Sequence, residues 1–207
     1  AQTILRVDPN ATGNGSGTSW GNALQSIQAA IDLIKTDNIQ NPELWLREGI
    51  YLPEVRSDAI AFHFDISLAI YGGFTGSETQ RIQRDHRAHP TILSGDFAQN
   101  DSNVALSYTD PIRSDNARNV VTVSATGVLL DGLTIEGGYA MGNFTENNRG
   151  AGIYKVNTVA DLRVFNCTIR RNVARVLGAG IYADFSLSAG QSFGEITLRN
   201  CVFHDNQ

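Results

Sequence analysis

Along the last third of the chain, apolar and polar residues alternate with period two, and the alternation breaks at fixed places. In Leu162-Arg-Val-Phe-Asn166-Cys167-Thr-Ile169-Arg-Arg-Asn172 the apolar set is Leu162, Val164, Cys167 and Ile169, with Arg163, Thr168 and Arg170 between them. Such alternation places one set on the buried face of a short strand and the other on its outer face. The single break at Asn166 predicts two strands joined by a one-residue corner. The pattern returns as Ile196-Thr-Leu-Arg-Asn200-Cys201-Val-Phe203-His-Asp-Asn206, so that Asn200 answers Asn166 and Asn206 answers Asn172. The same offset backwards lands on a degenerate copy at Leu130-Asp-Gly132-Leu133-Thr-Ile135-Glu136-Gly-Gly138. Gly150-Ala-Gly-Ile-Tyr154 and Gly178-Ala-Gly-Ile-Tyr182 add a further strand to each unit. Units repeating at a fixed offset of this size cannot bury an apolar face alone, so they stack. Three short strands per coil predict an all-β parallel β-helix, a solenoid.

The repeat also predicts vertical columns. Asn166 with Asn200, and Asn172 with Asn206, are expected to form ladders, because stacked amides hydrogen-bond from one layer to the next. Cys167 and Cys201 share one position and are expected about 4.8 Å apart, the spacing between strands. That separation falls in the range disulfides use. Both cysteines point inward from parallel strands, so stacked free thiols are the expectation and a disulfide the alternative. The outward column reads Glu136, Arg170, His204. It is either a stacked ion pair with a bystander imidazole or an acid–base set for uronate binding and proton abstraction. Tyr154 and Tyr182 follow inward isoleucines and stack on the outside, either as plain cross-strand packing or as a platform for a sugar ring.

Upstream the pattern is less regular. Ile4–Val7 reads as a first strand. Residues 23–35 read as a helix with Leu24, Ile27, Ile31 and Ile34 on one face and Ser19 as its N-cap. Placed ahead of a solenoid, this helix is expected to cap the open end. Residues 43–52 read as strand, corner, strand, and residues 59–71 hold two strands, with His63 facing away from Phe62 and Phe64. Gly72-Gly73 is read as a corner. Arg81, Arg84, His86, Arg87 and His89 with Asp85 form a basic patch, read as a loop face of salt bridges. Thr91–Asp96 is a further strand. Residues 97–119, crowded with Asp101, Asp110, Asp115 and Asn116 just after Asp96, read as a long projecting loop. Calcium is an alternative there, as it is at Asp8, Asn10 and Thr12, where the spacing echoes the start of a calcium loop but Ser19 stands where Glu is required. The expectation is therefore no cofactor, with calcium the alternative.

One domain is expected over residues 1–207: an N-terminal strand and helix to about residue 40, irregular coils over 41–119, and regular coils over 120–207. The chain stops inside a coil motif, which predicts either more sequence beyond or end-to-end self-association. Charged residues are 18%, Gly 20 of 207 and the net charge −5, a balance that fits a turn-rich secreted protein and gives no basic face for nucleic acid. No apolar run reaches membrane-spanning length.

The Gly-Ala-Gly-Ile-Tyr and Asn-Cys-x-Ile-x-x-Asn elements resemble the repeats of bacterial polymorphic outer-membrane proteins and related surface adhesins. Gly15-Ser-Gly-Thr-Ser-Trp20-Gly-Asn-Ala23 and Gly72-Gly-Phe-Thr-Gly-Ser-Glu78 resemble the leader region of large secreted bacterial proteins of the same kind. The resemblance implies a right-handed parallel β-helix of the pectate-lyase-like superfold, exported or displayed at the cell surface. It further implies a non-enzymatic scaffold or adhesin, with polysaccharide or a neighbouring cell surface as partner. Cleavage of an acidic polysaccharide is the alternative. The paired aspartates of polygalacturonase-like enzymes are missing, which leans the reading away from an enzyme.

Overall fold

The computed structural model describes residues 2–54, 60–101, 110–141, 148–156, 161–184 and 194–207. In chain order the elements begin with β1 (Thr3–Val7), α1 (Ile27–Thr36), β2 (Pro42–Arg47), β3 (Gly49–Tyr51), β4 (Ile60–Phe64), β5 (Ala69–Phe74) and β6 (Thr91–Ser94). They continue with β7 (Asn119–Val123), β8 (Val128–Asp131), β9 (Leu133–Glu136), β10 (Tyr139–Ala140), β11 (Ile153–Lys155), β12 (Leu162–Phe165) and β13 (Thr168–Arg170). The last are β14 (Val173–Ala174), β15 (Ile181–Ala183), β16 (Ile196–Arg199) and β17 (Val202–His204). Short 3-10 turns lie at Trp20–Asn22, Arg81–Gln83 and Pro111–Asp115.

The strands form four parallel sheets. The first runs β1-β2-β5-β8-β12-β16, the second β3-β6-β9-β13-β17, the third β4-β7-β11-β15, and β10 pairs with β14 in the fourth. In the first two sheets the offset of the sequence repeat is the register itself: Val128, Leu162 and Ile196 are neighbours, as are Glu136, Arg170 and His204. The third sheet does not keep it. There Val121 pairs with Ile153 and Ile153 with Ile181, and the second step along the chain is shorter than the first.

This corrects the expected fold class. The right-handed β-helix, an all-β solenoid with a capping helix, is replaced by a multi-sheet parallel α/β-like arrangement, about 12% helical among the described residues, with no closed solenoid. The physical reason lies in what the repeat specifies. Period-two alternation fixes which neighbour each strand takes, but strands of two to six residues do not fix the length of the connections, which run from four residues between β4 and β5 or β7 and β8 to twelve between β15 and β16. Unequal spacing in that third sheet prevents a uniform coil. α1 packs beside β1 and places Ile27, Ala30, Ile31 and Ile34 into the same core as the sheets.

The helix also starts later than expected. Ala23–Gln25 is drawn into strand-like pairing, with Leu24 N donating to Arg6 O at 2.9 Å and Asp8 N to Leu24 O at 2.8 Å. Ser19 instead caps the preceding 3-10 turn, and Ser26 Oγ caps α1 by accepting from Ala29 N.

One apolar core runs the length of the stack, through Leu44, Ile70, Leu130 and Val164 of the first sheet, Leu93, Ile135 and Ile169 of the second, and Phe64, Val121 and Ile153 of the third. Each side chain so buried contributes about 1.5–3 kcal/mol. The first sheet is covered on its outer face too. Trp45, Tyr71, Phe74 and Leu129 form a second cluster there, with Trp45 stacked on Phe74 at 4.8 Å between centroids. Gly72 and Gly73 are not a corner but the last part of β5. A Cβ on Gly72 would lie 2.5 Å from Gly132 O, so glycine permits the close approach of two layers.

The corners of the second sheet are set by backbone in the left-handed region. Gly132, Asn166 and Asn200 have φ of 74°, 53° and 53°, and Gly137, Arg171 and Asp205 have φ of 79°, 56° and 54°. Gly and Asn adopt this region readily, whereas a long side chain such as Arg171 does so at a cost.

Candidate functional site

The second sheet presents two outward columns. One is Ile50, Ile92, Thr134, Thr168 and Val202, paired across β3, β6, β9, β13 and β17. The other is Ser94, Glu136, Arg170 and His204, paired across β6, β9, β13 and β17. Glu136 and Arg170 form an ion pair, Nε to Oε2 at 2.6 Å, with both side chains partly exposed. His204 stands next in register but turns to Asp205 Oδ2 at 2.8 Å. The three residues are therefore one column without being one relay: the acid and the guanidinium engage each other and the imidazole engages its sequence neighbour.

Cavities flank these columns on both sides. One, about 320 Å³, is bordered by His86, Arg87, Thr134, Asn166, Thr168 and Asn200. Burial first, and the Arg84 guanidinium second, push His86 below the ordinary imidazole range. The basic patch that carries His86 is mostly spent on ion pairs: Arg81 with Glu43, Arg84 with Asp131 at 2.8 Å, and His89 with Glu48 at 2.8 Å.

The other cavity, about 170 Å³, is lined by Ser94, Asp96, Asp101, Glu136 and Arg171, with Ile50 on the rim. Its polar groups are held from behind by buried partners. Asp101 is 6% exposed and Arg113 0%. Asp101 Oδ2 accepts from Asn116 Nδ2 at 2.8 Å and lies 3.3 Å from Arg113 Nη2. Arg113 Nη1 donates to Arg171 O at 3.2 Å, and Arg171 Nη2 donates to Asp101 O. Asp96 is occupied by backbone, its two oxygens accepting from Asn100 N at 3.2 Å and Asp101 N at 2.9 Å. Burial raises the Asp101 carboxyl above the usual aspartate range, although Asn116 and the Arg113 and Arg171 charges pull the other way.

Sequence reasoning places Glu136 and Arg170 here but misses Asp101, Arg113, Asn116 and Arg171 as a constellation. The signals were the crowded carboxylates of 97–119 and one repeat position, where Gly137 becomes Arg171. That segment is not simply a projecting loop. Pro111–Asp115 is a 3-10 turn, and Asp96, Asp101, Arg113 and Asn116 are buried against the second sheet. Residues 102–109 lie outside the described residues.

The remaining candidates sit elsewhere. Tyr154 and Tyr182 pair in register on the third sheet, with centroids 5.7 Å apart and planes 37° apart. Arg149 lies over the Tyr182 ring at 5.2 Å and donates to its hydroxyl at 3.0 Å, so the pair is a tilted, partly covered surface and not a flat platform. Asp8 is committed to Arg47 at 2.8 Å and to Asn10 N at 2.9 Å, which leaves the Asp8, Asn10, Thr12 trio without a free calcium-binding carboxylate. Among the described residues no group of three or more His, Cys, Asp or Glu is placed to hold a metal ion.

The ladders take shape at the corners. Asn200 Nδ2 donates to Asn166 Oδ1 at 3.2 Å, Asn166 Nδ2 to Asp131 Oδ1 at 2.8 Å, and Asn172 Nδ2 to Asn206 Oδ1 at 3.1 Å. Cys167 and Cys201 are free thiols; burial pushes the Cys167 thiol up to about 12, while Cys201 is only partly buried. His63, exposed, meets Ser124 Oγ at 2.8 Å.

No helix among the described residues is long and apolar enough to cross a membrane. No family model matches the chain, and no curated protein matches it. Among solved structures it is similar to Escherichia coli YbhC, at 16% identity and a TM-score of 0.47, over 96% of this chain and 50% of that one, so it spans half of YbhC's length.

Proposed function

We propose that this chain is a secreted or surface-displayed, non-enzymatic scaffold that binds an extended glycan along the outer face of its second sheet. The observation that carries the reading is the pair of outward columns, Thr134/Thr168/Val202 and Ser94/Glu136/Arg170/His204, bordered on both sides by polar cavities. Layers one strand apart present hydroxyl, carboxylate and guanidinium groups in line, so a polymer crossing them meets a regular series of donors and acceptors. The likeness of its repeats to those of bacterial surface adhesins supports the location.

Affinity electrophoresis through gels containing pectic, alginate or neutral polysaccharides tests this directly. The protein should be retarded by at least one polymer, and Arg170→Ala should reduce that retardation. Equal mobility in every gel, or retardation that Arg170→Ala leaves untouched, rejects the reading.

A further inference from the structure

Cys167 and Cys201, the chain's two cysteines, are brought together by the repeat. Cys167 lies at the corner between β12 and β13, and Cys201 at the same corner between β16 and β17. The strands on either side pair in register, Phe165 with Arg199 and Thr168 with Val202, so the two cysteines stand opposite each other in adjacent layers. Asn166 N donates to Arg199 O at 2.9 Å and Val202 N to Cys167 O at 2.9 Å, which fixes the corner on both sides of the pair. Neighbouring parallel strands lie about 4.8 Å apart, so the two Cα atoms fall inside the span that disulfides bridge. Bridged Cβ atoms lie up to about 4.5 Å apart, so a shift of a few tenths of an ångström brings the pair into range.

Three features permit that shift. Cys201 Sγ already leans back toward the layer of Cys167, donating to Val164 O at 3.2 Å. Cys167 Sγ donates to Phe165 O of its own layer at 3.1 Å and reaches Leu130 O, in the layer beyond, only at 3.6 Å. Thiols are weak donors, so turning this sulfur toward Cys201 gives up little. Among the described residues β16 and β17 are the edge strands of their sheets, held from one side, so the Cys201 corner is free to approach.

We propose that Cys167 and Cys201 are a redox pair, joined by a disulfide when the folded chain meets a small-molecule disulfide such as oxidised glutathione. Cys167 is buried and Cys201 only partly so, which makes Cys201 the first group to react. Its thiolate attacks one sulfur of the small disulfide; that S–S bond breaks, one small thiolate leaves, and Cys201 carries a mixed disulfide. Cys167 then gives up its proton and attacks the Cys201 sulfur; the second small thiolate leaves and the Cys167–Cys201 bond forms. The two cysteine protons end on the two small thiols, and the pair passes two electrons to the oxidant. Burial holds the Cys167 thiol up at about 12, so the second exchange is the slow one. The bridge ties the layer of β16 and β17 covalently to that of β12 and β13. An exported chain meets such oxidants, because disulfides form and persist outside the cytosol. That setting rests on the location proposed above; the reaction itself does not.

Mass spectrometry tests the pair on the full chain, incubated folded with oxidised and reduced glutathione and then alkylated in denaturant. The expected product is a monomer lighter by two hydrogen atoms, with neither cysteine alkylated, formed after a transient glutathione adduct on Cys201. Dithiothreitol should restore both thiols. The oxidised chain should melt roughly 5 °C or more above the reduced one, because the bridge closes a loop in the unfolded chain. Cys201→Ser, at the partly exposed position, should abolish both the mass change and the dithiothreitol-sensitive shift. Two free thiols after prolonged oxidation, a glutathione adduct that persists on Cys201, a disulfide-linked dimer, or a bridged chain that melts below the reduced one would each overturn the proposal. Polysaccharide retardation of the reduced chain is measured without the bridge, so either idea can fail alone.

Discussion

Asn172→Ala is expected to be among the most destabilising single substitutions in the stack. Asn172 is fully buried. Its Oδ1 accepts from Gly138 N at 2.9 Å, and its Nδ2 donates to Ile135 O at 3.1 Å and to Asn206 Oδ1 at 3.1 Å. One amide therefore ties together three layers of the corner. Alanine leaves Gly138 N–H without its acceptor in a buried site, at a cost of about 1–3 kcal/mol, and removes two further bonds of about 0.5–1.5 kcal/mol each. Close packing prevents easy repair, since a Cβ added to Gly138 would meet Ala151 O at 2.0 Å and Asn172 Oδ1 at 3.1 Å. The total is roughly 2–6 kcal/mol. Asn206 occupies the same corner one layer on but is partly exposed, so water replaces its bonds and Asn206→Ala costs about 1 kcal/mol. Urea denaturation followed by circular dichroism measures both. The reasoning is refuted if Asn172→Ala costs no more than Asn206→Ala, because burial of the ladder is what separates them.

Three further outcomes follow from particular side chains. Burial by itself would raise the Glu78 carboxyl, but hydrogen bonds from Thr75, Gly76 and Ser77 hold it below the ordinary value of 4.5. Its contribution to stability is thus complete above that value and lost as pH falls through the depressed one; Glu78→Gln should be less stable near neutrality and show a shallower acid-side decline in urea midpoint. Cys201 should react with a thiol probe in the folded protein while Cys167, buried with its thiol at about 12, should react only after denaturant is added, as mass spectrometry of labelled peptides will show. Arg171→Gly relieves a left-handed φ of 56° but removes the hydrogen bond to Asp101 O, so its stability should stay within about 1 kcal/mol of wild type; a larger loss in thermal melts would show that the hydrogen bond outweighs the backbone strain.

Much of the architecture was legible in the sequence because the period-two pattern and the constant offset of the repeat both act through register. Glu136 beside Arg170, Tyr154 beside Tyr182, and Asn166 beside Asn200 all follow from counting along the chain, and the strand pairing agrees. What failed was closure and anything outside the repeat. Gly-Ala-Gly-Ile-Tyr recurs from Gly150 to Gly178, a shorter step than the one from Asn166 to Asn200, and this irregularity, visible in the chain, marks the third sheet as the one that breaks the coil. Ser19 was a sound cap by residue type, yet Leu24 pairs with β1 and moves the helix start to Ile27. The cavity was hidden for a different reason. Asp96, Asp101, Arg113 and Asn116 come from non-repeating sequence, and only folding of that segment against β9 brings them to Glu136 and Arg171.

The three larger sheets differ in what their outer faces leave free, and that difference argues for the second as the binding surface. The first sheet's outer face is filled by Trp45, Tyr71, Phe74 and Leu129, and Arg6, Arg81 and Arg84 lie over its Trp45 and Tyr71 rings at 4.5–5.4 Å. Cation–π contacts of this sort stabilise a cover by about 0.5–1 kcal/mol each at partly exposed sites, and a ligand would have to displace several together. On the third sheet the tyrosine pair is tilted and Arg149 occupies one ring. The second sheet presents hydroxyls at Thr134 and Thr168 and one ion pair, together with the apolar side chains of Ile50, Ile92 and Val202, on evenly spaced strands. A partly exposed pair such as Glu136–Arg170 is worth only about 0–1 kcal/mol to the fold. Removing Arg170 should therefore leave stability nearly unchanged while it weakens polysaccharide retention, and that separation of stability from binding is what a recognition surface, as opposed to a structural column, requires.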